Sequence, residues 1–293
     1  MNGVGGLHGW RWIFILEGIA TVVVSLASYY FIANYPSTAK FLTDKERACV
    51  QARLESNSDA SRVEGFTFKN VLIAVRDPKV WLYGLGFHTL SLPLYTLSLF
   101  LPTIIKELGF TAAQAQLLTV PPYAVATVMT LTVAIYSEKL KMRAPFIMAT
   151  SSLAAIGYVI LLSDTHSGVS YFGTILAAAG IYPSVAIILS WPANNVSGQT
   201  KRATANAMQI SIGNLGAVLG TQLYRSTDGP RFFLGHGFAF GYLIANVLVV
   251  GTLWAVLKRE NAIRERGERN ERLVGVGENE WLGDDDPRWR FQT

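Results

Sequence analysis

Charged residues are scarce in this sequence, and their scarcity is concentrated in long blocks. Only 15% of the 293 residues are Asp, Glu, Lys or Arg, whereas 51% are hydrophobic. A helix on the surface of a soluble protein carries charges every few residues along its polar face. Seven stretches break that rule, because they contain no Lys or Arg and only one acid, Glu17; they cover 12–33, 80–101, 115–136, 146–162, 171–189, 203–223 and 237–257. This pattern excludes a soluble fold.

The same stretches have the length of membrane spans. A helix needs roughly 20 apolar residues to cross about 30 Å of hydrocarbon, since it rises 1.5 Å per residue. Each of the seven stretches comes close to that length. The sequence therefore predicts an all-α integral membrane protein with seven transmembrane helices.

Other absences narrow the function. Cys49 is the single cysteine, so an internal disulfide is excluded. The sequence has no Cys/His metal spacing, no glycine-rich phosphate loop and no Ser/His/Asp set on one membrane face. We therefore expect no enzyme, no metal and no cofactor. A seven-helix receptor is a weaker alternative; its retinal form is excluded because 237–257 lacks the lysine that forms the Schiff base.

Basic residues are plentiful between the stretches, and they lie mostly on one side. If the spans alternate, four of the 25 Lys and Arg fall on one face, whereas 21 fall on the face that carries 34–79, 137–144, 191–202 and 258–293. Positive residues accumulate on the cytoplasmic side of membrane proteins. The charges therefore predict a cytoplasmic C-terminus, and they set orientation rather than indicate a nucleic-acid partner.

The spacing of the stretches predicts four regions. Residues 1–34 contain a lone first span, and 35–79 form a charged, partly helical cytoplasmic linker. Residues 80–257 form a compact bundle of six spans joined by short loops, and 258–293 form a cytoplasmic tail. We expect 258–272 to be a solvated charged helix, with contact to lipid headgroups as the alternative.

Four blocks of sequence resemble one family of transporters. They are GWRWIFILEG at 9–18, PSTAKFLT at 36–43, LSLFLPTII at 97–105 and NNVSGQTKRA at 194–203. Together they resemble fungal major facilitator permeases of the anion:cation symporter, allantoate-permease-like (nicotinate-permease-like) group. The resemblance extends from residue 9 to about residue 259.

The resemblance implies twelve helices in two six-helix halves, with the substrate between the halves at mid-membrane. This chain would carry helix six and the C-terminal six-helix bundle, without helices one to five. The implied activity is proton-coupled symport, at the plasma membrane, of a small organic anion such as allantoate, nicotinate or a related vitamin. The implied partners are that anion, the proton, the lipid bilayer, and an N-terminal half or a second copy. A non-transporting fragment or a regulatory partner of full-length permeases is the alternative.

Polar residues inside the spans are the candidate functional residues. By resemblance, three substrate-binding candidates lie on helices seven and ten, which line the central path: His88, Tyr95 and Tyr182. Gln209 is the fourth substrate-binding candidate, because its amide can both donate and accept hydrogen bonds. Glu17 is the proton-coupling candidate. Asn194 and Asn195 are gate or helix-end candidates. Three of these candidates have a purely structural alternative. Glu17 pairs with another helix or reaches the membrane interface, His88 forms a hydrogen bond to a neighbouring helix, and Tyr182-Pro183 marks a packing kink.

Small residues in 203–223 predict close helix packing. Gly213, Gly216 and Gly220 lie on one stripe that also carries Asn206 and Gln209. Gly216 and Gly220 have the spacing that lets two membrane helices approach closely. We therefore expect the three glycines to face a neighbouring helix.

Overall fold

The computed structural model of this chain describes residues 3–57, 66–163, 166–274 and 282–293. Its contacts divide the chain into two units, Met1–Arg62 and Val63–Thr293. Ten α-helices lie in the described residues: α1 Gly9–Phe31, α2 Asp44–Asn57, α3 Phe68–Arg76, α4 Pro78–Glu107, α5 Ala112–Leu117, α6 Val120–Leu140, α7 Ala144–Leu162, α8 Ser167–Asn195, α9 Gln199–Gly220 and α10 Phe233–Glu265. These ranges contain no β-strand. The all-α prediction is confirmed.

The first unit contains a long helix with no core of its own. None of the 23 residues of α1 is buried. Apolar side chains point outward all round the helix, as shown by Phe14 (70% exposed) and Val24 (63% exposed). A helix that is apolar on every side belongs in lipid or against other protein.

Helix α2 begins with a capping box, in which a side chain at each end of the first turn bonds the backbone of the other. The Thr43 backbone N–H donates to Glu46 Oε2 at 3.0 Å, and the Glu46 N–H donates to Thr43 Oγ1 at 3.4 Å. The segment predicted as a partly helical linker, 35–79, contains helices α2 and α3.

The second unit is a helix bundle arranged around α4. Helix α4 packs against α8, α9 and α10, α7 packs against α8 and α10, and α6 packs against α8. Small residues let the helices approach: a Cβ added to Gly216 on α9 would lie 2.5 Å from the His88 carbonyl on α4. A Cβ on Gly157 of α7 would lie 2.6 Å from the Ala177 nitrogen of α8.

One of the seven predicted membrane spans is less apolar than the others. Six helical segments in the described ranges are long and apolar enough to cross a membrane: Gly9–Phe31, Pro78–Glu107, Ala112–Leu140, Ala144–Leu162, Ser167–Asn195 and Phe233–Glu265. The seventh predicted span, 203–223, corresponds to α9, which is long enough at 22 residues. Within that stretch Asn206, Gln209 and Asn214 reduce the mean hydropathy. The count of seven is therefore not confirmed.

A buried polar network joins four helices of the bundle. Asn246 on α10 donates to the Gly86 carbonyl at 2.8 Å and to Thr89 Oγ1 at 2.9 Å, both on α4. Ser151 on α7 donates to Asn246 Oδ1 at 2.8 Å, and Ser184 on α8 lies 3.2 Å from the Ser151 hydroxyl. Buried polar groups are costly unless they are bonded. This network therefore fixes how the helices pack.

Candidate functional site

Polar and aromatic side chains form a continuous strip across α9, α4, α8 and α6. Tyr95 on α4 donates to Asn214 Oδ1 on α9 at 3.3 Å. Ser98, one turn further along α4, lies 2.8 Å from the hydroxyl of Tyr182 on α8. The Tyr182 ring meets the Tyr123 ring of α6 edge-on, with centroids 5.7 Å apart. We call these five residues the polar strip.

The strip is accessible, unlike the core beside it. Tyr95 is 37% exposed, and Asn214 is also exposed. A cavity of 290 Å³ adjoins the strip; its lining is Tyr123, Ala126, Thr127, Thr130, Leu131 and Tyr182. Hydroxyl and amide groups can both donate and accept hydrogen bonds, so they suit a polar ligand. Among the predicted binding residues, the structure brings Tyr95 and Tyr182 together on this surface.

Prolines lie close to the strip on two helices. Pro93 precedes Tyr95 by two residues on α4, and Pro183 directly follows Tyr182 on α8. A proline inside a helix has no N–H, so it leaves a carbonyl of the preceding turn without its usual partner. In membrane helices such breaks are tolerated where the segment is buried in protein or lines a cavity.

Gln209 is buried between α9 and α8, where it stabilises the fold, and it is not part of the polar strip. Its side chain is 1% exposed, and Nε2 donates to the Ile188 carbonyl of α8 at 2.7 Å. That carbonyl is the one that Pro192, four residues later, leaves without an N–H partner. Gln209 therefore replaces the missing backbone donor. The proline indicates that a donor is needed, but it does not indicate which residue provides it.

His88 lies on the same side of α4 as Tyr95, two turns away, and it contacts two other helices. Its Nδ1 lies 3.1 Å from the Ile212 carbonyl of α9. Its ring centroid is 5.7 Å from that of Tyr242 on α10. Because a carbonyl only accepts, Nδ1 carries the hydrogen, and Nε2 is the nitrogen left to accept a proton.

The three glycines of α9 lie along α4. Gly213, Gly216 and Gly220 are all buried. A Cβ on Gly213 would overlap the Phe87 ring, and one on Gly220 would lie 2.9 Å from Thr96 Cγ2. The proton-coupling candidate, Glu17, belongs to the first unit, where it is exposed on α1.

Asn195 binds the end of the chain. Its Nδ2 donates to the Tyr83 hydroxyl at 2.7 Å and to the Gln292 carbonyl at 2.9 Å, and its Oδ1 accepts from the Gln292 N–H at 2.7 Å. Trp191 Nε1 donates to the same carbonyl at 2.8 Å. Asn194 is half-buried beside it at the end of α8. The C-terminal residues are therefore attached to this end of the bundle.

Four charged side chains meet at the same end. Lys201 Nζ, on α9, donates to both carboxylate oxygens of Asp284, at 2.7 and 2.9 Å. Asp77 lies 3.5 Å from both Lys201 and Lys79, and Lys79 lies 3.9 Å from Asp284. Asp284 is only 3% exposed. We call this region, together with residues 282–293, the charged end.

The prediction of a solvated tail helix over 258–272 is wrong at Arg264. Helix α10 continues to Glu265, and Arg264 is 4% exposed. Its guanidinium donates to the carbonyls of Asp284, Asp286 and Trp289, at 3.0–3.2 Å. The Phe291 ring lies 4.5 Å from both Arg264 Cζ and Lys79 Nζ. These interactions stabilise an arginine away from water.

Residues 282–293 also contain an ion pair within the segment, between Arg288 and Asp286. Hydrogen bonds from Arg288 lower the pKa of Asp286. Arg288 Nη2 lies 2.8 Å from Asp286 Oδ2. The sequence signal for a docked segment is the pair of aromatics, Trp289 and Phe291, behind three consecutive aspartates in a tail that otherwise mixes basic and acidic residues.

The sequence matches a known protein family over most of its length. The model of the Major Facilitator Superfamily matches residues 2–221, three quarters of the chain. The chain belongs to the major facilitator superfamily. Proteins of this superfamily carry small molecules across the bilayer, and the chain is an integral membrane protein. The family resemblance predicted from the sequence is confirmed.

Curated relatives of this superfamily member are named as transporters. An MFS-type transporter of Penicillium expansum, cnsO, is 33% identical over 99% of this chain and 60% of its own length. An uncharacterised transporter of Schizosaccharomyces pombe is 33% identical over 92% and 55%. The high-affinity nicotinic acid transporter of Saccharomyces cerevisiae is 28% identical over 98% and 54%. The chain thus spans a little more than half the length of these relatives.

Proposed function

We propose that the polar strip is the wall contributed by this chain to the substrate pathway of a transporter. The observation that carries the proposal is the hydrogen-bonded and stacked connection of α9, α4, α8 and α6 through partly exposed polar groups. Such groups are costly on a surface that faces only lipid. They are favourable where they line an aqueous cavity.

The substrate class that we propose is a small organic anion such as nicotinate, allantoate or a related vitamin. Support comes from the similarity to the high-affinity nicotinic acid transporter of Saccharomyces cerevisiae. Hydroxyl donors on Tyr95 and Tyr182 suit a carboxylate, which only accepts. Because the seven apolar stretches contain no Lys or Arg, the opposite charge would come from a helix N-terminus or from the facing half of the pathway.

Proton coupling is part of the same proposal, with His88 as the group in the second unit that takes the proton. Its Nε2 is left to accept once Nδ1 bonds the Ile212 carbonyl. Glu17 on α1 is the second candidate, because an acid inside an apolar span is costly unless it has a function. We expect His88→Gln to remove the acceleration of uptake by external acid, while Glu17→Gln tests the alternative.

The functional test is uptake of radiolabelled nicotinate by yeast cells that lack their own nicotinic acid transporter. The chain is expressed alone and together with the part of that transporter that it does not match. We expect uptake only with both parts, and about tenfold slower uptake at low substrate for Tyr95→Phe/Tyr182→Phe, since two hydrogen-bond donors are lost. Tyr136→Phe, on the exposed side of α6 away from the strip, is the matched control.

Two outcomes would contradict this function. Unchanged uptake by the double variant would show that the strip does not touch substrate. Full uptake by the chain alone would overturn the view that it provides only part of the pathway. If both parts together transport nothing but the chain slows uptake by an intact permease, the alternative of a regulatory partner is favoured.

The proposed orientation places the charged end in the cytosol and the protein in the plasma membrane. It rests on the excess of Lys and Arg in the segments on that side of the bundle. A fluorescent reporter fused after Thr293 is expected at the cell periphery and protected from external protease. Cleavage of the reporter in intact cells would reverse the orientation.

A further inference from the structure

The largest cavity described at the charged end lies outside the polar strip. It has a volume of 640 Å³ and is bounded by the end of α3, the start of α4 and the end of α10. Its walls carry seven basic and three acidic residues. Neither the buried polar network nor the proposed pathway uses it.

Two arginines of the wall have no carboxylate partner within the described residues. The three acids of the wall are already paired: Glu260 with Arg264 and Arg269, Asp77 with the lysines of the charged end, and Asp285 with Arg272. Arg76 at the end of α3 and Arg259 on α10 line the cavity without an ion pair among the residues that the structure describes. The cavity therefore has positive charge available for an anion.

The cavity also has an apolar side that continues onto the outer surface of the bundle. Ile73 on α3 and Val256 on α10 both line it, and each is 40% exposed. Val256 lies in the stretch 237–257, which is apolar enough to sit in hydrocarbon. The neighbouring Leu72 and Val75 of α3 are exposed as well. Charge and apolar surface thus meet at one opening.

We propose that this cavity binds the phosphate headgroup of an anionic phospholipid, whose acyl chains lie along Val256 and Ile73. The guanidinium group presents paired N–H donors that match the oxygens of a phosphate. Basic pockets beside membrane helices are suited to such headgroups. The apolar side distinguishes the ligand from free phosphate, because a soluble anion gains nothing from Val256.

Binding can be measured by thermophoresis on the purified full chain in an uncharged detergent. The probe is dioctanoyl phosphatidylinositol 4-phosphate. We expect Arg76→Gln/Arg259→Gln to weaken its binding by at least about tenfold, since charged hydrogen bonds to the phosphate are lost. Arg266→Gln is the matched control: this exposed arginine lies just beyond α10 and outside the cavity, and we expect less than about a twofold change.

Two further ligands identify the source of the phosphate. Inositol 1,4-bisphosphate has the charged headgroup without chains, and dioctanoyl phosphatidylcholine has the chains without net charge. We expect both to bind at least about tenfold more weakly than the anionic lipid. Equal binding of the headgroup alone would overturn the lipid assignment. Equal binding of phosphatidylcholine would overturn the assignment of an anion site. The same holds if Arg76→Gln/Arg259→Gln melts at the wild-type temperature and binds the anionic lipid as tightly as the wild type does.

Discussion

The charged end and the polar strip use polar side chains in opposite ways. At the charged end Asp284 is 3% exposed and accepts two hydrogen bonds from Lys201, both shorter than 3.0 Å. In the strip Tyr95 is 37% exposed, and its hydroxyl makes one longer bond, of 3.3 Å, to Asn214. A polar group whose hydrogen bonds are all made within the chain stabilises the fold. A group that keeps bonding capacity at an accessible surface can bind a ligand.

The chain also separates these roles along the sequence. The charged end joins the N-terminal turns of α4 and α9 to a segment more than 80 residues later, at Asp284. The strip needs only neighbouring positions on four helices that are already packed together. A change in the buried ion pairs of the charged end is therefore expected to alter stability, whereas a change in the strip is expected to alter substrate binding.

The largest effect is expected for Asp284→Ala. It leaves Lys201 buried beside Asp77 alone, and an incompletely paired buried charge costs on the order of 3 kcal/mol of unfolding free energy. Thermal unfolding in detergent measures the loss. Asp285→Ala is the control, because that side chain is 65% exposed in its pair with Arg272, and we expect less than about 1 kcal/mol.

A second variant sharpens that result. Lys201→Met/Asp284→Ala removes both charges, so it is expected to recover much of the stability that Asp284→Ala loses. If the double variant is no more stable than the single variant, the charged end does not act through the buried ion pair.

A smaller effect is expected for Gln209→Leu. The Ile188 carbonyl would lose its donor at a position where Pro192 has already removed the backbone one, at a cost of about 1–2 kcal/mol. Ser211→Ala, on an exposed position of the same helix, should change the unfolding temperature little. If Gln209→Leu lowers nicotinate uptake without lowering stability, Gln209 belongs to the pathway instead.

The smallest effect is expected for Arg288→Gln, and it depends on pH. Arg288 lowers the pKa of Asp286, so the pair stabilises the fold above the ordinary Asp pKa of about 3.9. That stability is lost as pH falls through the lowered pKa of the folded state. Because the Arg288 side chain is 74% exposed, water screens the pair, and we expect a smaller loss of stability at neutral pH than for Gln209→Leu. A wild-type advantage that grows towards acid would contradict this sign.

The sequence predicts the helices well because the hydrocarbon imposes a simple rule on charge. The stretch 80–101 lies inside α4, Pro78–Glu107, and 237–257 lies inside α10, Phe233–Glu265. Both helices continue past the apolar stretch, since a helix can carry charge once it leaves the hydrocarbon. The apolar stretch 115–136 does not predict the break between α5 and α6, although Pro121 and Pro122 mark the start of α6.

The partners of individual side chains are much harder to predict. Tyr95 and Tyr182 are found on one surface because they lie on the accessible sides of helices that pack together. The role of Gln209 depends on which carbonyl of α8 faces it, and no local pattern gives that. The docking of Gln292 onto Asn195 joins residues 97 positions apart, so it depends on the finished fold.

The central claim is that the polar strip faces a water-filled pathway rather than lipid. Cys49 is the single cysteine of the sequence, so Cys49→Ser provides a background for single introduced cysteines. In that background Asn214→Cys reports on the strip, and Leu248→Cys, which is 66% exposed on α10, is the control. The measurement is the rate of reaction with a charged, water-soluble methanethiosulfonate reagent in cells that contain both parts of the transporter. We predict fast reaction at position 214, slowed by nicotinate, and little reaction at 248; equal rates at the two positions would contradict the account.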